Sequence, residues 1–172
     1  MRRSVIALLS LAAAGTLLAA QPAAGQPFSV IEATIPEMQA AMAQHRITSR
    51  DLVLQYLVRI ALYEDKLHAA ITVNPKALEA ADARDREREQ GRLRGVLHGI
   101  PIALKDNIHT TDMPTTGGAI AFDRLAPPYE ATLTKHLREA GAIILAKTSM
   151  TELANWVASG MPGNYRCSAK DS

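Results

Sequence analysis

Two short runs carry reactive side chains. Lys105-Asp106-Asn107 closes the apolar run Ile102-Ala103-Leu104, and Lys147 closes a second apolar run over residues 142–146. A lysine at the tip of a buried strand has a chemical use. In water its amine titrates near ~10.4, too high for a base at neutral pH. Burial disfavours the ammonium and lowers that value by as much as several units. The neutral amine can then take a proton from a hydroxyl nucleophile. Asp106 argues the other way, because a close carboxylate stabilises the ammonium. The bland alternative is a structural ion pair between Lys105 and Asp106. Lys147 could play the catalytic part by position, and residue types alone leave both questions open. The five histidines (45, 68, 98, 109 and 136) show no ligand spacing, Cys167 is the only cysteine, and no glycine spacing marks a nucleotide loop. Neither a metal nor a cofactor is expected.

The elements around these runs follow from periodicity and caps. Thr34-Ile35-Pro36-Glu37 reads as a capping box with proline in the first turn, opening a helix to about Gln44. A second start at Thr48, with Asp51 three residues on, opens an amphipathic helix to about Tyr63. Residues 69–73 read as a short strand. Asn74-Pro75 restarts a helix, with Asn74 as its cap, that ends at Gly91. Its later half, Asp82 to Glu89, mixes both charge signs and reads as a solvated face on which Asp82 and Arg86 can pair. After Asn107 the chain turns polar through Thr110 to Gly118, so Lys105 lies at a strand-to-loop junction, a usual place for α/β active sites. A helix is expected over 130–140 with Gly141 as its stop, then the strand 142–146, an order that is βαβ-like. A short helix is expected over 152–158.

The first residues are a separate object. Met1-Arg2-Arg3 precedes an uncharged Leu/Ala-rich run, Val5 to Ala20, and then the small residues Ala23-Ala24-Gly25. The run is short for a membrane span of roughly 20 residues. Residues 1–25 are expected to be a signal peptide, with the chain exported to the periplasm or secreted and no stable membrane anchor after cleavage. Cleavage removes Arg2 and Arg3, so the formal net charge falls from +2 to about zero. The basic balance is thus largely the leader's, and no nucleic-acid partner is expected. One cysteine excludes an internal disulfide. The chain is 48% hydrophobic but only 4% aromatic, which suits α/β or helical packing better than a β-sandwich.

The linked motifs resemble a known family. Leu97-His98-Gly99-Ile100-Pro101-Ile102-Ala103-Leu104-Lys105-Asp106-Asn107 is similar to the opening motif of the amidase signature family. Met113-Pro114-Thr115-Thr116-Gly117-Gly118 resembles the loop that follows it. The block from Leu137 to Ala154 resembles the next one, with Glu130-Ala131 where the family usually has Asp-Ala. The likeness runs from about Ile31 to Asn164. It implies an α/β fold built on a mixed sheet flanked by helices, of which this chain would be the N-terminal portion. It also implies hydrolysis of carboxamide C–N bonds, on a small-molecule or peptide amide, by a Ser–cis-Ser–Lys triad. In that triad Lys105 is the terminal base, and backbone N–H groups near the serines stabilise the oxyanion. Lys147 falls in a supporting block.

The chain departs from the family pattern after Asn164. The family's Gly/Ser-rich stretch, with both serines, has no counterpart here, and Ser168 and Ser172 lack its glycine setting. Residues 26–172 are therefore read as a partial amidase domain without the downstream serine motif. A fragment, a truncated or frameshifted product, and a short non-catalytic exported binding or structural module are the alternatives. By itself the chain is expected to be inactive and loosely folded, with strand edges unpaired. Its oligomeric state is left open.

Overall fold

The computed structural model describes residues 27–155. The leader, the tail from residue 156 and Cys167 lie outside the described residues.

Two capping boxes start the first two helices. In α1, Ile35–Ala43, the Thr34 N–H donates to Glu37 Oε2 at 2.7 Å, while the Glu37 N–H donates to Thr34 Oγ1. In α2, Ser49–Leu67, Thr48 and Asp51 make the same reciprocal bonds at 3.1 and 3.0 Å. Each cap satisfies N–H groups that the helix cannot, and is worth about 1 kcal/mol. α2 runs one turn past the expected end at Tyr63. Next come β1, Ala70–Val73, and α3, Ala77–Glu89. Asn74 does not cap α3. Its Oδ1 accepts from the Lys76 N–H at 2.9 Å in the preceding turn, and its Nδ2 donates to the Ile144 carbonyl at 2.7 Å.

The charged half of α3 also departs from expectation. Asp82 pairs with Arg50 of α2 at 2.7 Å, not with Arg86. Asp85 accepts the Ser49 and Arg50 N–H groups at 2.7 and 3.0 Å, adding a carboxylate at the positive start of α2. Arg88 donates to Gln39 and to the His98 carbonyl at 3.0 and 3.1 Å. Much of this run binds neighbouring elements, where sequence periodicity reads only a wet surface.

β2, Pro101–Lys105, α4, Thr132–Glu139, and β3, Ile143–Thr148, form a parallel βαβ-like unit. The sheet order is β1-β3-β2, with β1 antiparallel to β3. It is a mixed sheet flanked by helices. Gly141 stops α4: its N–H donates to Arg138 O and that of Ala142 to Leu137 O. Gly99 must be glycine on two grounds. Its φ is +80°, and a Cβ there would sit 2.2 Å from Ser49 Oγ.

Helices cover both faces. Val53 of α2 and Ala77 and Ala81 of α3 pack on Ile143, Leu145 and Ala146. Leu137 of α4 and Met113 of the loop pack on Leu104 and Ile144 of the other face. β3 is buried through Lys147, so that lysine lies inside the strand and not at its end. The short turn Glu152–Asn155 has Leu153 and Ala154 in the left-handed region, in place of the first turn of the expected helix.

Candidate active site

The two lysines occupy opposite environments. In the parallel register Leu104 pairs with Lys147, and Lys105 pairs with Thr148. Successive strand residues face opposite ways, so Lys147 points with Leu104 towards α4 and the loop. Lys105 points with Thr148 to the other face, where its side chain is exposed. Thr148 there lines an apolar groove with Tyr56, Ile60, Leu67 and Ala103.

Lys147 is wholly buried, as is Asp106. The Lys147 Nζ lies 3.1 Å from Asp106 Oδ1, donates to Thr115 Oγ1 at 2.9 Å and reaches the Pro114 carbonyl at 3.3 Å. Three partners match the three N–H groups of an ammonium. Asp106 Oδ1 has no well-aligned hydrogen bond, so the adjacent ammonium is its compensation among the described residues. Asp106 Oδ2 accepts from the Thr116 N–H at 3.0 Å and from the Thr116 hydroxyl. Burial pushes the Lys147 amine below its ordinary value, and the Asp106 charge opposes that shift.

The pairing of neighbours Lys105 and Asp106 is therefore not made. Asp106 turns away from Lys105 and pairs with a lysine on the adjacent strand. No ion pair to the Lys105 amine occurs among the described residues.

Asp106 also ties three segments together by its backbone. Its N–H donates to Thr148 O at 3.2 Å, and its carbonyl accepts from Gly117 at 3.1 Å. Gly117 O in turn accepts the Leu153 N–H at 2.8 Å. Gly118 closes the loop at φ +74°, where a Cβ would meet the Met150 carbonyl at 2.5 Å. The ends of β2 and β3 are thus fixed to the 115–118 loop.

A second polar group flanks this hub. Arg138 of α4 donates to Asp112 and Glu130 at 2.7 and 2.8 Å. Asn74 also faces Asp112, at 3.4 Å. Sequence reading took Asn74 only for a helix cap and gave Asp112 and Arg138 no role, because their partners are distant in the chain. The signal available for Lys147 was its place within an otherwise apolar run. Among the described residues no three His, Cys, Asp or Glu side chains are grouped to hold a metal, and no helix is long and apolar enough to cross a membrane.

The sequence model of the Amidase family matches residues 51–164. The chain belongs to the Amidase family. A probable amidase of Arabidopsis thaliana is 40% identical over 141 residues, covering 80% of this chain and 28% of that protein. A glutamyl-tRNA(Gln) amidotransferase subunit from Streptomyces avermitilis is 40% identical over 127 residues, covering 73% of this chain and 25% of its own length. Among solved structures, the peptide amidase of Stenotrophomonas maltophilia superposes with a TM-score of 0.70 at 45% identity, over 72% of this chain and 26% of that one. An amidase family protein of Bacillus anthracis superposes at 0.75 with 33% identity, over 80% and 28%. The chain thus spans 25–28% of the length of these Amidase relatives. Its mixed sheet flanked by helices is the amidase-signature architecture.

Proposed function

We propose that this chain is the lysine-bearing part of an exported amide hydrolase. Its chemistry is cleavage of a carboxamide C–N bond by a Ser–cis-Ser–Lys mechanism. The Lys105 amine takes the nucleophile's proton through the bridging serine. The serine attacks the amide carbonyl, the C–N bond breaks as that proton returns through the bridging serine to the leaving nitrogen, and water releases the acid from the acyl-enzyme. The substrate is a small-molecule or peptide amide, in keeping with the peptide amidase among the similar structures.

One observation carries the reading: Lys105 ends β2 with its side chain open, while the adjacent Asp106 is engaged on the opposite face of the sheet. A strand-end amine so displayed is available to a serine from elsewhere in a larger fold. Both serines lie outside the motifs this sequence carries.

A chimera tests it. Residues 27–164 replace the aligned segment of the Stenotrophomonas peptide amidase, and turnover of a peptide amide is measured. The expected result is hydrolysis that is lost in the Lys105→Ala chimera. Hydrolysis that survives Lys105→Ala overturns the role of Lys105. Amide turnover by the chain alone that vanishes in Lys105→Ala overturns its predicted inactivity.

A further inference from the structure

A base next to a carboxylate poses an electrostatic problem. A free negative charge one residue away favours the ammonium of Lys105 and works against proton abstraction. In this chain the carboxylate is not free. Asp106, the turn residue directly after β2, lies on the face opposite Lys105, and Lys147 meets it there at 3.1 Å with both side chains fully buried.

We propose that Lys147 is a positioning residue for Lys105 that acts through Asp106. Its ammonium holds the carboxylate on the far face of the sheet and cancels its charge, so that no unpaired carboxylate adjoins the Lys105 amine. The inference rests on the reading of Lys105 as the base.

Three features support the pair as a unit with this purpose. Thr115 Oγ1 and the Pro114 carbonyl take the remaining Lys147 protons, which fixes the ammonium within reach of Asp106. Thr116 holds the other carboxylate oxygen through both its N–H and its hydroxyl. The Asp106 backbone bonds to Thr148, the register partner of Lys105. The same residue therefore sets both the local charge and the backbone course directly after Lys105.

Among the described residues, other charged groups near the site have contacts of their own. Asp112 also acts on Lys147 and is itself paired with Arg138 of α4 at 2.7 Å. On the Lys105 side, Arg59 and Glu64 of α2 line the groove shared with Thr148. Arg59 lies over the Tyr63 ring, and Glu64 accepts the Ala69 and Ala70 N–H groups. Asp106 is the carboxylate adjoining Lys105 in the chain.

The test is a titration of the Lys105 side chain in the full chain, which needs no serine and no turnover. Its ε-methylene resonance is assigned with Lys105→Arg and followed by carbon NMR against pH. Lys147→Met and Lys147→Gln each leave Asp106 without its cation. The Lys105 midpoint should rise by about half a unit relative to the unaltered chain. Adding Asp106→Asn should return it to the unaltered position. A structural role alone would not give a rise that the second substitution reverses. An unchanged midpoint in the folded Lys147 variants, or a rise that persists with Asp106→Asn, overturns the proposal. Should both single variants unfold, the Lys147→Met, Asp106→Asn chain leaves no buried charge alone and decides it. An unmoved midpoint there agrees with a pair that is electrically silent at Lys105, and a shift of about half a unit overturns it. Failure here leaves the chimera result intact, and loss of the Lys105 role in the chimera leaves this titration readable.

Discussion

Lys147 Nζ stands 3.1 Å from Asp106 Oδ1, and neither side chain reaches solvent. The pair joins the penultimate residue of β3 to the residue that follows β2. Breaking one half leaves a buried charge alone, which costs about 3–5 kcal/mol, whereas removing both halves is often close to neutral. Chemical denaturation should show Lys147→Met strongly destabilised. The Lys147→Met, Asp106→Asn chain should recover a large part of the loss. Equal midpoints for the two would mean that packing, not charge, is what Lys147 supplies.

The same burial predicts an alkaline effect. The folded Lys147 amine is held below its unfolded value of about 10.4. Between those values the unfolded chain binds more protons than the folded one, so stability rises with pH. As pH rises from the folded value towards about 10, the unaltered chain should gain stability relative to the Lys147→Met, Asp106→Asn variant. Denaturation midpoints at several pH values measure the difference, and a falling difference contradicts the assignment.

His98 predicts the acid side. Its ring is buried; Nε2 lies 2.9 Å from the Arg84 carbonyl, and Nδ1 accepts from the Arg94 N–H at 3.3 Å. A neutral ring protonated on Nε2 satisfies both contacts. Burial lowers its proton affinity, with the Arg84 hydrogen bond opposing. The stability contribution is complete above the unfolded value of about 6.5 and is lost as pH falls below it towards the folded value. His98→Gln should flatten that limb of the stability curve.

Gly118 allows no side chain. Its φ of +74° is joined by a 2.5 Å clash of any Cβ with the Met150 carbonyl, which is backbone and cannot swing aside. Gly118→Ala should cost about 2 kcal/mol or more in denaturation.

Lys105→Ala should leave stability within about 0.5 kcal/mol, because the side chain is exposed and makes no ion pair among the described residues. A large loss of stability would identify Lys105 as structural. In hydrogen exchange, amides of β3 should be the most protected. Those on the outer edge of β2, which has one sheet neighbour among the described residues, should exchange early.

Local chemistry was legible. The Thr34 and Thr48 boxes, the stops at Gly91 and Gly141, and the two parallel strands stand where propensity and periodicity put them, because each depends on residues a few positions apart. The Asn74 cap and the Asp82–Arg86 pair failed for one reason. Each side chain found a better partner on another element: Asn74 the Ile144 carbonyl, and Asp82 Arg50.

The sequence by itself determined the family, the strand that ends in Lys105 and the loop that follows. Those reside in contiguous motifs, and motif spacing survives without coordinates. The family resemblance already told the two lysines apart, and only the tertiary structure showed the surroundings of each. Strand register placed Lys147 in the interior beneath α4 and the 115–118 loop, and Lys105 at an exposed point of the opposite face. A one-residue difference in register reverses that outcome, because side chains alternate across a sheet. Burial then made Asp106 the partner of Lys147, since a carboxylate in a dry interior needs a cation within reach and its neighbour in the chain points the other way.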